Sequence, residues 1–274
     1  MGNRLQFATL VFGSIGIVSM SVAQPQAWAD EVIVAVAANF TGAMKTIATK
    51  YTARTGNKIT ISYGSTGKLY AQIKNGAPFD VFLAADAQRP RLLEDQGQAL
   101  AGSRFTYAIG QLALWSPNSE YVDNRGDILH HGDYRHLAIA NPKTAPYGAA
   151  ARDVLLALGL WQRLQRRLVY GENITQTYQF VASGNAELGF VALSQITAHK
   201  APARGSLWRI PARLYRPIEQ QAVLLRSGRN TAAESFLSFL RGPEARTVIE
   251  SLGYATPPTY SGANDRPRQT VRKE

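Results

Sequence analysis

The tetrapeptide Ser65-Thr66-Gly67-Lys68, set within YGSTGKLYAQI (63–73), places two hydroxyls, a glycine and an amine within about one helical turn. Three chemistries use such a set. A phosphate-cradling P-loop needs G-x-x-x-x-G-K-[ST]. Counting back from Gly67-Lys68, the first glycine position holds Ser62, and the position after Lys68 holds Leu69. Both ends fail, and no hydroxyl is placed for a magnesium ion. A nucleophilic S-x-x-K pair would set Ser65 and Lys68 on one helix face, where the amine could accept the hydroxyl proton. Its companion motifs are poor: Ser183–Asn185 (SGN) and Lys143–Ala145 (KTA) are imperfect and come in the wrong order. An exported serine acyl-transferring enzyme using Ser65 and Lys68 is therefore the alternative reading. The third chemistry is anion binding. Ser65 and Thr66 stand where a helix N-cap belongs, and Gly67 opens the helix. The first N–H groups of a helix have no internal partner, and with the helix dipole they favour negative charge. Capping alone would also account for Ser65.

The same strand-to-helix junction recurs. AANFTGAM carries Asn39 and Thr41, NPKTAPYGAA carries Tyr147-Gly148, and YGENITQT carries Asn173-Ile174. Ligands of open α/β sheets bind beyond the carboxyl ends of the strands. Four such ends, two in each half, would make a cleft with several helix N-termini aimed inward. None of the four holds a carboxylate pair or a histidine beside a serine, so no catalytic set is expected. Lys68 alone could add charge near the cleft, or point to solvent.

The elements behind these junctions alternate strand and helix. EVIVAVAA (31–38), nearly continuous in apolar residues as a buried parallel strand is, reads as the first strand, and KITISYG (58–64), DVFLAAD (80–86), HLAIANP, RLVYG and AELGFVALSQ read as further strands. Between them lie helical stretches. The first has Met44, Ile47, Ala48 and Tyr51 at helical spacing and stops at Gly56. Two long extended segments, Phe105–Ser116 with Gly110 inside it and Ile218–Arg226, bracket the middle third. An internal strand glycine marks a bend or crossover. The expected class is α/β, with two parallel-rich sheets flanked by helices and joined by a two-strand hinge. Residues 30–108 plus 219–256 would form the first lobe and 109–218 the second.

Composition narrows the function. There is no cysteine, which excludes disulfides, a cysteine nucleophile and thiolate metal ligands, and the four histidines form no zinc-ligand pair. The formal charge is +11, but the basic residues are scattered, densest at Arg163–Arg167 and Arg266–Lys273 without interleaved aromatics. A solvated basic surface is expected, with no nucleic-acid partner. Residues 1–29 combine Arg4, a short apolar run and AWA before Asp30, as an export signal does. Residues 257–274 lack apolar periodicity and read as a disordered basic tail.

VAVAANFTGAMKTIA (34–48), YGSTGKLYAQIKNGAPFDVFLAAD (63–86), ANPKTAPYGAAARDVL (140–155), ELGFVALSQ (187–195) and FLRGPEARTVIESLGY (239–254) resemble the periplasmic molybdate-binding proteins of ABC transporters. The similarity runs from about Asp30 to Ala255. It implies a type II periplasmic-binding-protein fold, and molybdate or tungstate held by neutral donors without direct protein–metal ligands. It further implies delivery to a membrane permease, with sulfate as an alternative oxyanion and sensing as an alternative to transport. Carried over by position, the ligand-binding residues are Asn39, Ser65, Thr66, Tyr147 and Ile174, the last through its backbone N–H. The choice of principal donor between Ser65 and Thr66 stays open. Some members supply a tyrosine hydroxyl just after LGxV, where this chain has Ala192. Another donor must compensate, and Asn39 and Tyr147 are the candidates. A monomer without cofactor or catalytic activity is expected.

Overall fold

The computed structural model describes residues 30–197, 205–228 and 231–257. The expected export signal and the tail beyond Pro257 lie outside the described residues. Ten strands are present among those described: β1 Glu31–Ala37, β2 Lys58–Gly64, β3 Val81–Leu83, β4 Phe105–Gly110, β5 Leu112–Ser116, β6 Leu137–Ala140, β7 Leu168–Gly171, β8 Leu188–Ala192, β9 Ser206–Arg209 and β10 Ile218–Leu224. The helices are α1 Thr41–Thr55, α2 Thr66–Lys74, α3 Gln88–Asp95, α4 Ile128–His131, α5 Pro146–Ala157, α6 Trp161–Leu164, α7 Ile174–Ala182, α8 Leu193–Thr197, α9 Thr231–Arg241 and α10 Pro243–Ser251.

The strands form two five-stranded sheets, ordered β2-β1-β3-β10-β4 and β7-β6-β8-β5-β9. Each sheet has two parallel pairings followed by two antiparallel ones, so one strand in each runs against the rest. Those two strands, β10 and β5, follow the chain's two crossings between sheets. The first crossing is abrupt: β4 ends at Gly110 in one sheet and β5 begins at Leu112 in the other. Gly110 is required there for space. A Cβ would lie 2.3 Å from the Tyr147 hydroxyl and 2.9 Å from Gln220 Nε2.

The near-continuous apolar strands follow from covered faces on both sides. Val32, Val34 and Val36 of β1 point into a core with Met44, Ile47 and Tyr51 of α1 and with Phe236 of α9. Ala35 and the partly buried Ile33 face the opposite core, with Leu69 of α2 and Leu93 of α3. The second sheet repeats the scheme, with Leu112 and Leu114 on one side and Ala113 and Trp115 on the other. Each large side chain so enclosed contributes roughly 1.5–3 kcal/mol. Helix α1 stops at Gly56, whose left-handed φ of 76° few other residues adopt.

Two details depart from the sequence-based expectation. The DVFLAAD strand is only three residues long, because Ala84–Asp86 leave the parallel ladder toward the gap between the sheets. Strand β9 is an addition to the expected set. Four residues with one buried side chain carry too little alternation to be seen.

Candidate functional site

The carboxyl ends of β1 and β2 in the first sheet face those of β6 and β7 in the second. Between them lies a small cavity of about 10 Å³. That is below the roughly 300–1,000 Å³ typical of organic-ligand sites. Asn39, Ser65 and Thr66 line it from one side, Tyr147 and Ile174 from the other. The structure therefore brings all five sequence-derived positions to one place. Every lining residue is uncharged.

The local fold leaves donors free there. Ser65 is the N-cap of α2 by backbone conformation, yet its side chain makes no capping bond. Its Oγ is buried and has no partner among the described residues. Thr66 differs, because its Oγ1 accepts the Ala85 N–H at 3.0 Å and so ties α2 to the strand-end loop of β3. At α7, Asn173 Oδ1 accepts the N–H groups of Thr175 and Gln176 at 2.9 and 3.0 Å. Ile174 is the first residue of that helix, so its own N–H has no intrahelical acceptor. In α5 the first position is Pro146, which has no N–H, and the next is Tyr147. Burial raises the Tyr147 phenol well above its ordinary range, so it stays a protonated O–H donor.

Asn39 lines the cavity, but its carboxamide is committed elsewhere. Nδ2 donates to Gln220 Oε1 at 2.7 Å and to Tyr254 Oη at 3.2 Å. Gln220, fully buried on β10, also accepts from Tyr107 Oη at 3.1 Å and donates to Tyr147 Oη at 3.3 Å. Ser194 Oγ donates to Tyr254 Oη at 3.0 Å. Burial pushes the Tyr254 phenol up to about 12, against the opposing hydrogen bonds of Ser194 and Asn39. Sequence reasoning missed this network behind the cavity. Its one sequence signal was a pair of glutamines, Gln220 and Gln221, beside Glu219 in a strand whose other four residues are apolar.

The halves also touch around the cavity mouth. Gly67 N–H donates to Thr144 O at 2.8 Å, and Thr175 Oγ1 donates to Ala38 O at 3.1 Å. Lys68 Nζ pairs with Glu172 Oε1 at 2.7 Å. The amine is thus turned across the gap and is not placed to take the Ser65 proton. Both partners of this pair are about half exposed, so it contributes at most about 1 kcal/mol. We expect Lys68→Ala and Glu172→Gln each to lower the affinity for an anion in the cavity by less than about fivefold, and the effect to fade in titrations at molar salt.

Such an arrangement can hold a small, fully ionised oxyanion by neutral O–H and N–H donors. Comparison with known proteins accords with that chemistry. Residues 32–255 match the family described as bacterial extracellular solute-binding protein. The chain is 54% identical over 229 residues to the molybdate-binding protein ModA of Azotobacter vinelandii, covering 83% of this chain and 91% of that one. It is 49% identical over 238 residues to the molybdate-binding protein ModA of Rhodobacter capsulatus, covering 86% and 92%. Among solved structures, the Azotobacter vinelandii periplasmic molybdate-binding protein superposes with a TM-score of 0.81 at 47% identity, covering 83% of this chain and all of that one.

Proposed function

The chain belongs to the bacterial extracellular solute-binding proteins and groups with their molybdate-binding members, and from that premise we propose how it captures its ligand. It binds molybdate between its two lobes, 30–108 plus 219–256 and 109–218, and delivers it to an ABC permease. Capture takes place in the periplasm, after export directed by residues 1–29, and the protein acts as a monomer without catalysis. Tungstate, of the same charge and shape, is a second ligand.

The observation that carries this reading is the cavity itself: uncharged throughout, with a buried Ser65 hydroxyl lacking any partner among the described residues. An unmade buried hydrogen bond costs about 1–3 kcal/mol, and an anion seated beside Ser65 removes that cost. The Ile174 N–H and Tyr147 O–H supply further donors. Thr66 braces α2 by accepting the Ala85 N–H, which leaves its own proton free, so it is a second hydroxyl donor. A buried dianion is tolerated only when its oxygens are hydrogen-bonded, and charge-assisted bonds are roughly twice as strong as neutral ones. Closure about the crossings near Gly110 and Pro217 excludes water and completes the donor set. Sulfate has the same charge and shape, so cavity size discriminates against it.

The acyl-transfer reading loses its support at Lys68, whose amine is paired with Glu172. Calorimetric titration of the exported chain with molybdate, tungstate, sulfate and phosphate tests the proposal. Tight binding of both group-6 oxyanions, with sulfate and phosphate far weaker, is expected. Heat with an amino acid or sugar, and none with either group-6 oxyanion, would refute it.

A further inference from the structure

We infer that Gln220 is a positioning residue that dictates which way the Tyr147 hydroxyl proton points, and thereby makes Tyr147 a donor to the bound anion. The inference rests on the oxyanion-binding reading above. Hydrogen-bond polarity carries it, starting from a group that can only accept. Asn39 carbonyl oxygen accepts from Tyr254 O–H at 2.7 Å. The single Tyr254 proton is thereby spent, so Tyr254 Oη must accept at its other contacts. The Asn39 carboxamide 3.2 Å away therefore presents Nδ2, a donor, toward it. The second Nδ2 proton goes to Gln220 at 2.7 Å, which makes the facing Gln220 atom the oxygen. Tyr107 O–H, 3.1 Å from the same oxygen and 3.2 Å from Ala84 O, is compatible with that assignment and does not decide it. Gln220 then has only its Nε2 to offer Tyr147 Oη, at 3.3 Å. Tyr147 accepts there, and its own proton has no protein acceptor among the described residues. The remaining outlet is the cavity that Tyr147 lines.

The chain of fixed polarities thus runs from one backbone carbonyl, through both lobes, to a phenol at the ligand. It also joins the lobes, since Gln220 sits on β10 of the first sheet and Tyr147 opens α5 of the second. A donor so oriented favours a fully deprotonated oxyanion. Hydrogen phosphate carries one O–H and needs an acceptor in the site.

The substitution Gln220→Glu keeps nearly the same side-chain shape but reverses its polarity toward Tyr147. An ionised carboxylate would take the Tyr147 proton for itself and leave a phenol lone pair facing the cavity. The experiment is a double-mutant cycle by calorimetry with molybdate, comparing the wild type, Gln220→Glu, Tyr147→Phe and the double variant. Gln220→Glu is expected to weaken molybdate binding at least about tenfold and to improve the ratio of hydrogen phosphate to molybdate affinity. In the Tyr147→Phe background, the same substitution is expected to cost about twofold or less. Gln220→Met, which neither donates nor accepts strongly, keeps the test valid should the glutamate variant not fold. Its expected loss is about three- to tenfold, again vanishing without the Tyr147 hydroxyl. A Gln220 penalty that persists in full in the Tyr147→Phe background would overturn the inference, because direct repulsion or loose packing does not pass through that hydroxyl. Failure of the wild type to bind molybdate would instead overturn the underlying reading.

Discussion

Gly67→Val is expected to weaken molybdate binding about 30- to 700-fold while leaving the fold intact. Gly67 lies in the first turn of α2 and has ordinary helical backbone, so its value is not conformational freedom. It is proximity: a Cβ there would lie 2.9 Å from Thr144 Cα and 3.0 Å from Thr144 O, backbone atoms of the opposite lobe. Backbone cannot swing aside as a side-chain tip can. Only a slightly wider gap between the lobes relieves the clash, and that gap breaks the 2.8 Å bond from Gly67 N–H to Thr144 O. Overpacking costs about 1–3 kcal/mol and the lost bond about 1 kcal/mol more, and both fall on the closed form alone. Each 1.4 kcal/mol is about tenfold in affinity. Gly67→Ala is the diagnostic companion. Alanine favours a helix over glycine by about 0.5–1 kcal/mol, so the ligand-free melting temperature should hold or rise while the molybdate-induced increase shrinks. Thermal melts with and without molybdate, beside calorimetry, read both effects. Wild-type affinity in Gly67→Val would mean that the lobes do not close through this contact.

The strands were legible because both faces of each sheet are covered. Covering both faces turns a strand into an apolar run, and Val32, Val34, Val36 and Ala35 show it within one element. The cavity positions were legible for a related reason, since every one sits where a strand ends and a helix begins. What each residue does there was not legible. Asn39 and Ser65 look alike as polar residues at a junction. Yet the Asn39 carboxamide is consumed by Gln220 and Tyr254, more than 180 residues away, whereas the Ser65 hydroxyl is free. Thr66, next in sequence to Ser65, has its hydroxyl oxygen engaged by the Ala85 N–H, with its own proton left to donate. Lys68 turned toward Glu172 for the same reason: its partner comes from the other lobe. Local spacing marks the rim of a site. The division of labour within it is decided by contacts that only the folded chain creates.

That division predicts different stability costs for adjacent hydroxyls. Ser65→Ala is expected to reduce molybdate affinity about ten- to a hundredfold, the equivalent of one hydrogen bond to a charged group at about 1.5–3 kcal/mol. The ligand-free protein should lose no stability and should gain some, because the Ser65 Oγ holds nothing in place and its unmade buried hydrogen bond is removed. Thr66→Val should differ in stability. It leaves the Ala85 N–H without its acceptor in a buried setting, which destabilises the fold by about 1–3 kcal/mol, and it also removes one O–H donor from the cavity lining. Ser65→Asp extends the series, since a carboxylate in a cavity with no cation on its lining repels a dianion and should abolish measurable binding. Chemical denaturation of the ligand-free variants, set beside their calorimetric affinities, separates the two roles. If Ser65→Ala binds molybdate as the wild type does and Thr66→Val does not, the buried hydroxyl without a partner is not the one that grips the anion, and the donor set must be rebuilt around Thr66.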